Sequence, residues 1–142
     1  MAPIVIDNGV PESIAALAIP LLDDPDAQVR EAAVLTGPAG LDWRAFLSRE
    51  TVPSVRRAVV LQLARTAGEE AIPDLAGLLR SDDWQVRALC AEALARLGEC
   101  VVETVKPLVH DEDQRVRVAA VRVLLHLRQD TWLKHEFGLV TT

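Results

Sequence analysis

Tyrosine is absent from this 142-residue chain, and only three tryptophans and two phenylalanines supply large rings. Without aromatic bulk, the core must be assembled from Ala, Val and Leu. Such small side chains let helices approach closely, as stacked helical layers require. Cysteine is also scarce. Cys90 and Cys100 form no C-x-x-C pair, so neither a disulfide scaffold nor a zinc knuckle is the expected organisation. Two packing thiols in a reduced cytoplasmic protein are expected, with Cys90 at a core position. No apolar run reaches the ~18 residues of a membrane span. Residues 1–10 lack a basic n-region and carry Asp7, unlike a secretory leader, and are expected to form a short extended lead-in. Positive charge is in deficit: the formal net charge is −6. That total disfavours nonspecific nucleic-acid binding, although it leaves room for a local basic face. A Gly-rich phosphate loop, a Ser-His-Asp arrangement and a nucleophile elbow are all missing. No catalytic residue and no cofactor is expected.

Half of the residues are apolar and a quarter are charged, the composition of a folded domain. An internal repeat then dominates the sequence. A Val-Arg pair recurs at Val29-Arg30, Val55-Arg56, Val86-Arg87 and Val116-Arg117, at intervals of 26, 31 and 30 residues. Eight residues before each Val stands Leu21, Leu47, Leu78 or Leu108. Five before stands Asp24, Glu50, Ser81 or Asp111, a column in which only Ser81 lacks charge. Small residues follow each pair: Ala32-Ala33, Ala58, Cys90 and Ala119-Ala120. Repeats of this length signal a solenoid, in which each unit buries its apolar face on its neighbours.

The period within each repeat is helical. Val116, Ala119, Ala120, Val123, Leu124 and Leu127 share one helix face, as do Val86, Leu89, Cys90, Ala93, Leu94 and Leu97. Acidic residues before each Val suit a helix N-terminus, and Gly68 and Gly98 supply stops. Pro20, Pro73 and Pro107 bend or start the preceding helices. Each unit therefore reads as a first helix (A), an acidic turn and a second helix (B). The expected A/B spans are 11–22/26–36, 42–49/53–67, 70–80/83–97 and 100–109/113–128. Thr36-Gly37-Pro38-Ala39-Gly40 cuts the first B helix short. Residues 11–128 are thus expected to form the repeat domain and residues 129–142 a terminal cap, with Trp132, Leu133 and Phe137 covering the open end.

The frame of Leu, Asp, Val-Arg, Ala-Ala and Leu-Gly resembles HEAT-like repeats, in the subtype found in phycobilisome lyases. LLDDPDAQVREAAV (21–34) and LLRSDDWQVRALCAEALARLG (78–98) carry the resemblance, which covers roughly residues 11–128. It implies an all-α, right-handed α-solenoid of about four helix pairs with the B helices lining the concave side. It also implies that the arginine column is a structural ladder: Arg30, Arg56, Arg87 and Arg117 meeting turn carboxylates such as Asp24, Glu50 and Asp111. The same repeat serves adaptors, regulators and a few enzymes, so it speaks to fold more than to function.

On that frame, ten of the fifteen Lys and Arg fall on B helices, Arg128 among them, against Glu31 and Glu92. The expected concave face carries Arg57, Leu61, Arg65, Glu92, Arg96, Arg122 and His126. It is more basic than the whole chain and suits an acidic protein patch; the alternative is a solvated face paired with neighbouring carboxylates. Trp84, flanked by Asp83 and Gln85, is either an interface anchor or packing over the adjacent turn. Val118, Val121 and Leu125 form a second apolar stripe, expected to meet the cap around Trp132 and Phe137 or else to be an exposed patch. His135-Glu136 is a lone pair of its kind. Deoxyhypusine hydroxylases place several such pairs on their B helices to hold iron, and here the positions after Val-Arg are Glu31, Arg57, Ala88 and Val118. No metal site is expected. His110 with Asp111, Glu112 and Asp113 reads as capping acids.

The expectation is therefore a non-catalytic interaction module, an adaptor or accessory scaffold with a protein partner. The alternative is a bilin lyase-like or chaperone-like accessory subunit. A monomer or weak homodimer, no membrane and no nucleic-acid partner go with that reading. Thirteen arginines against two lysines point to a GC-rich bacterial source.

Overall fold

The computed structural model describes residues 12–38, 40–66 and 68–139, so the expected lead-in over residues 1–10 lies outside it. Every regular element among the described residues is a helix. The chain divides into two compact units, Met1–Thr66 and Ala67–Thr142. In the first unit, α1 (Glu12–Ala15) runs into a 3-10 stretch, Ala16–Leu21, and pairs with α2 (Ala27–Thr36). The second pair is α3 (Trp43–Arg49) with α4 (Pro53–Thr66). In the second unit, α5 (Ile72–Gly77) lies between 3-10 stretches Glu69–Ala71 and Leu78–Arg80 and precedes α6 (Trp84–Leu97). Then come α7 (Val102–Val105), with 3-10 flanks Gly98–Val101 and Lys106–His110, α8 (Gln114–His126) and α9 (Asp130–Glu136).

Pairing follows one rule inside each unit. B helices pack on B helices, α2 on α4 in the first unit and α6 on α8 in the second, where the A helices α5 and α7 also meet. The fold is all-α and of the solenoid class. Three of the A helices alternate between α and 3-10, and each of these carries a proline: Pro20, Pro73 or Pro107. Proline lacks the N–H that an i−4 carbonyl would take, which favours the short 3-10 pattern around it. The proline-free α3 is α-helical throughout.

The repeat face identified in the sequence is the core. Val116, Ala119, Ala120, Val123 and Leu124 are buried on α8, and Val86, Cys90, Ala93 and Leu94 on α6. Both cysteines are free, and burial pushes the Cys90 thiol up to about 12, so it is inert.

The acidic turns work through oxygen atoms rather than through charge alone. Asp24 Oδ1, Glu50 Oε2, Ser81 Oγ and Asp111 Oδ1 each accept the backbone N–H two residues on, at 2.8, 3.0, 3.1 and 2.9 Å. Ser81 therefore fits its column because a hydroxyl oxygen does the same task as a carboxylate. Asp26, Asp83 and Asp113 then cap α2, α6 and α8 by accepting from Gln28, Gln85 and Arg115 N–H. At the other end, Gly98 stops α6 with φ 81° and ψ −148°, a region open essentially to glycine. Gly68 differs from expectation: its φ of −102° is available to any residue, and α4 has already ended at Thr66. The last B helix also ends early. Arg128 lies beyond α8 in a left-handed turn, φ 63°, where Gln129 N–H reaches Leu124 O at 2.8 Å.

Burial by itself would push the Glu50 carboxyl up. Hydrogen bonds from Arg30 and from the N–H groups of Val52 and Thr51 outweigh it and hold Glu50 below the usual carboxylate range. Asp113 is held at about 2 by the side chain and N–H of Arg115. A carboxylate depressed in the folded chain lends stability above its unfolded pKa, near ~4, and that contribution is lost as pH falls through the folded value. Melting temperature should therefore hold steady from pH ~7 to ~5 and fall below pH ~4. Glu50→Gln should start lower and decline less in the same acid titration; an unchanged acid limb would show that Glu50 contributes nothing to it.

Candidate functional site

The four column arginines share one geometry. Nη1 of Arg30, Arg56, Arg87 and Arg117 donates to the carbonyl six residues earlier: Asp24 O at 2.8 Å, Glu50 O at 2.8 Å, Ser81 O at 2.6 Å and Asp111 O at 2.7 Å. Three take a second carbonyl, of Pro25, Leu47 and Glu112. The guanidinium thus satisfies carbonyls left open where an A helix ends. This differs from the ladder of carboxylates expected from the sequence. Of the four, Arg30 also meets a carboxylate, Glu50 at 3.0 Å, and both side chains are largely buried. The remaining rungs between successive repeats use other arginines: Arg49 with Asp23, Arg80 with Asp111, and Arg115 with Asp82. The carboxylates of the acidic column are otherwise engaged inside their own turns, which leaves the column arginines to the backbone.

The residues of the expected concave face lie elsewhere on the B helices. On the first unit, Arg57, Leu61 and Arg65 are half-buried along α4. On the second, a groove separates α6 from α8. At one end it encloses about 400 Å³ lined by Trp84, Ala88, Ala91, Arg115, Val118 and Arg122, with the column arginine Arg87 also at its edge. A continuation of about 360 Å³ is lined by Ala91, Glu92, Ala95, Arg96, Arg122 and His126. Ala91 and Arg122 are common to both, so the two recesses form one trough. All four expected concave residues of this unit, Glu92, Arg96, Arg122 and His126, line it.

The local sequence explains the shape of the trough. Ala88, Ala91 and Ala95 keep the α6 wall low, while Trp84, the first residue of α6, rises at its mouth with 66% of its surface exposed. Most of the ring is therefore uncovered. Val118, 44% exposed, stands on the opposite wall. Arg115 is tied to Asp82 and Asp113 at 2.6 and 2.9 Å and serves as a fixed rim. Arg122 makes no ion pair among the described residues and is exposed over the trough floor. Glu92 is the one acid on the lining. The trough therefore offers an apolar end and a cationic end, suited to a segment carrying a large apolar side chain beside carboxylates.

Glu92, Arg96, Arg122 and His126 of the expected face lie on the trough, Arg87 and Arg115 join them without having been expected there, and the alanines at three positions of α6 were legible as a column of small residues. A further recess in the first unit, lined by Asp23, Arg30, Phe46, Arg49 and Glu50, holds charges already paired with one another, and Arg49 stacks 4.4 Å from the Phe46 ring centre. Among the described residues no three His, Cys, Asp or Glu side chains gather as a metal-binding group, and no helix is long and apolar enough to cross a membrane.

Of the two expectations for the Val118, Val121 and Leu125 stripe, the exposed patch fits Val118 and Leu125. Val118 and Leu125 are 44% and 50% exposed. α9 touches α8 and also reaches the A side: Lys106 Nζ lies 5.1 Å from the Trp132 ring centre, His110 Nε2 lies 2.7 Å from Glu136 Oε1, and the His110 ring abuts Phe137. Only Leu133 of α9 is buried, and Phe137 remains 45% exposed.

Comparison with known proteins bears on this geometry. The family model described as HEAT repeats matches residues 42–124. A search of the curated proteins finds no match.

Proposed function

The chain belongs to the HEAT-repeat family, a fold that generally serves as a protein-interaction scaffold, and from that premise we propose that it binds an acidic segment of a partner protein along its B helices. The observation that carries this reading is the trough between α6 and α8, where exposed Trp84 and Val118 adjoin Arg96, Arg122 and His126 with Glu92 as the single acid. The apolar end supplies the anchor and the cationic end the sign. Arg57, Leu61 and Arg65 are proposed to act in the same way on the first unit. In this role the chain is an adaptor or accessory scaffold, without catalysis.

The test uses a fluorescein-labelled extended peptide rich in Glu with a single Trp, followed by anisotropy. Arg96→Glu with Arg122→Glu should weaken binding on the order of tenfold per reversed charge at low salt, with the melting temperature unchanged. Equal affinity in the double variant overturns the trough as the site. The resemblance of residues 21–34 and 78–98 to lyase-type repeats supports a second reading, an accessory subunit for a bilin-carrying protein. A shifted absorbance band on mixing with free bilin would favour it over the adaptor.

A further inference from the structure

We infer that the free edge of α8 is a second docking surface, and that it takes an acidic amphipathic helix of a partner protein. Thirty residues separate α6 from α8 in the repeat frame, so Val118, Val121 and Leu125 stand where Ala88, Ala91 and Ala95 stand on α6. The three alanines face α8 across the trough. This side of a B helix is therefore the one that receives the next B helix. On α8 the same side carries larger apolar groups: Val118 belongs to the trough wall, while Val121 and Leu125 lie outside the trough lining and Leu125 is half exposed.

Among the described residues, α9 touches α8 and also reaches Lys106 and His110 on the A side. It leaves Leu125 half exposed and Val121 part-buried. A helix is the occupant for which the edge has the shape, because the equivalent edge of α6 is already filled by one.

Charge selects the kind of helix. α8, Gln114–His126, has no acidic residue; Arg115 is paired with Asp82 and Asp113 and Arg117 with turn carbonyls, which leaves Arg122 and His126 as its cations for a partner. Arg122 and His126 flank the apolar stripe on one side and Arg128 follows it. A second copy of this chain would bring the same cations against them, so self-association through two α8 edges is opposed. An incoming helix with apolar residues at i, i+3 and i+7 and glutamates beside them matches both the stripe and its flanks.

The test uses a lactam-stapled helical peptide of about four turns with that pattern, and a control in which lysines replace the glutamates. Methyl NMR of the whole chain reports the site. The Glu peptide should shift the methyls of Val121 and Leu125, the Lys peptide should not, and Leu125→Ser should weaken binding on the order of tenfold. Leu125 lies outside the trough lining, so Arg96→Glu should leave this affinity within about twofold, and a failed trough and a failed edge give different patterns. Shifts confined to Trp84, Ala88 and Ala91 would overturn the proposal, as would equal binding of the two peptides. Concentration-dependent association of the protein alone, abolished by Leu125→Ser, would make the occupant a second copy and overturn it too. So would capture by phosphatidylserine vesicles with the Glu peptide ignored.

Discussion

Trp43→Ala is expected to lower the stability of the first unit by about 3–5 kcal/mol. Trp43 is 2% exposed and is the largest fully buried side chain of the molecule. Its position is tied to the one irregular repeat. α2 ends at Thr36, four residues short of its counterpart in α4 by length, and the chain turns at Gly37-Pro38. A Cβ on Gly37 would lie 2.8 Å from the Trp43 ring, so the ring occupies the space that the turn leaves open. Gln62, 3% exposed, reaches across from α4 and donates to Val34 O at 2.6 Å, a second bond to the carbonyl that already accepts Gly37 N–H at 3.2 Å at the end of α2. The indole, the glycine and the glutamine together replace the missing turn of helix. Removing the indole leaves a cavity in a unit held mostly by small side chains, with little bulk nearby to fill it. Trp43→Phe should cost less than half as much. It keeps most of the ring volume and removes the indole N–H, which has no hydrogen-bond partner among the described residues and carries its own desolvation cost of roughly 1–3 kcal/mol. Thermal melts of the three proteins check the order; a Phe variant as unstable as the Ala variant would mean that the site needs the full indole volume and not aromatic bulk alone.

Helix positions were legible because their signals are local. The B helices expected over 26–36, 53–67 and 83–97 are Ala27–Thr36, Pro53–Thr66 and Trp84–Leu97. An Asp before the apolar period sets the start in two of these, and Gly98 sets a stop. The fourth overran: residues 113–128 were expected and α8 is Gln114–His126, because an arginine took the left-handed position that glycine usually marks. The arginine column was legible as structural through resemblance alone, and its partners were not legible at all. A sequence shows that carboxylates lie near; it does not show that the carbonyl of residue i−6 points at the guanidinium while the carboxylate turns to a nearer N–H. Val118, Val121 and Leu125 illustrate the other limit. Their spacing reveals an apolar face, but which element covers it depends on whether α9 lies on the A or the B side.

Arg117→Met is expected to cost about 2–3 kcal/mol, while Arg122→Met, five residues on in the same helix, should change stability by less than about 0.5 kcal/mol. Arg117 is half-buried and its Nη1 donates to Asp111 O at 2.7 Å and Glu112 O at 3.0 Å. Hydrogen bonds from a charged donor are worth roughly 1.5–3 kcal/mol each, and methionine keeps the apolar stem while leaving both carbonyls without their donor. Partial access of water to the turn recovers some of that loss, which keeps the figure nearer one strong bond than two. Lysine at 117 should fall between, since a single ammonium reaches a carbonyl without the planar fork that spans two. Arg122 has no such partner among the described residues, and its truncation removes only solvated charge. Binding should rank the two variants in the opposite order: Arg122→Met weakens the acidic peptide and Arg117→Met, measured well below its melting temperature, leaves the affinity as it was. Urea titration together with peptide anisotropy on the two variants separates these effects. If Arg117→Met loses the peptide while remaining folded, the column arginines belong to the binding face, and the division between turn arginines that hold the repeat and trough arginines that meet the partner is wrong.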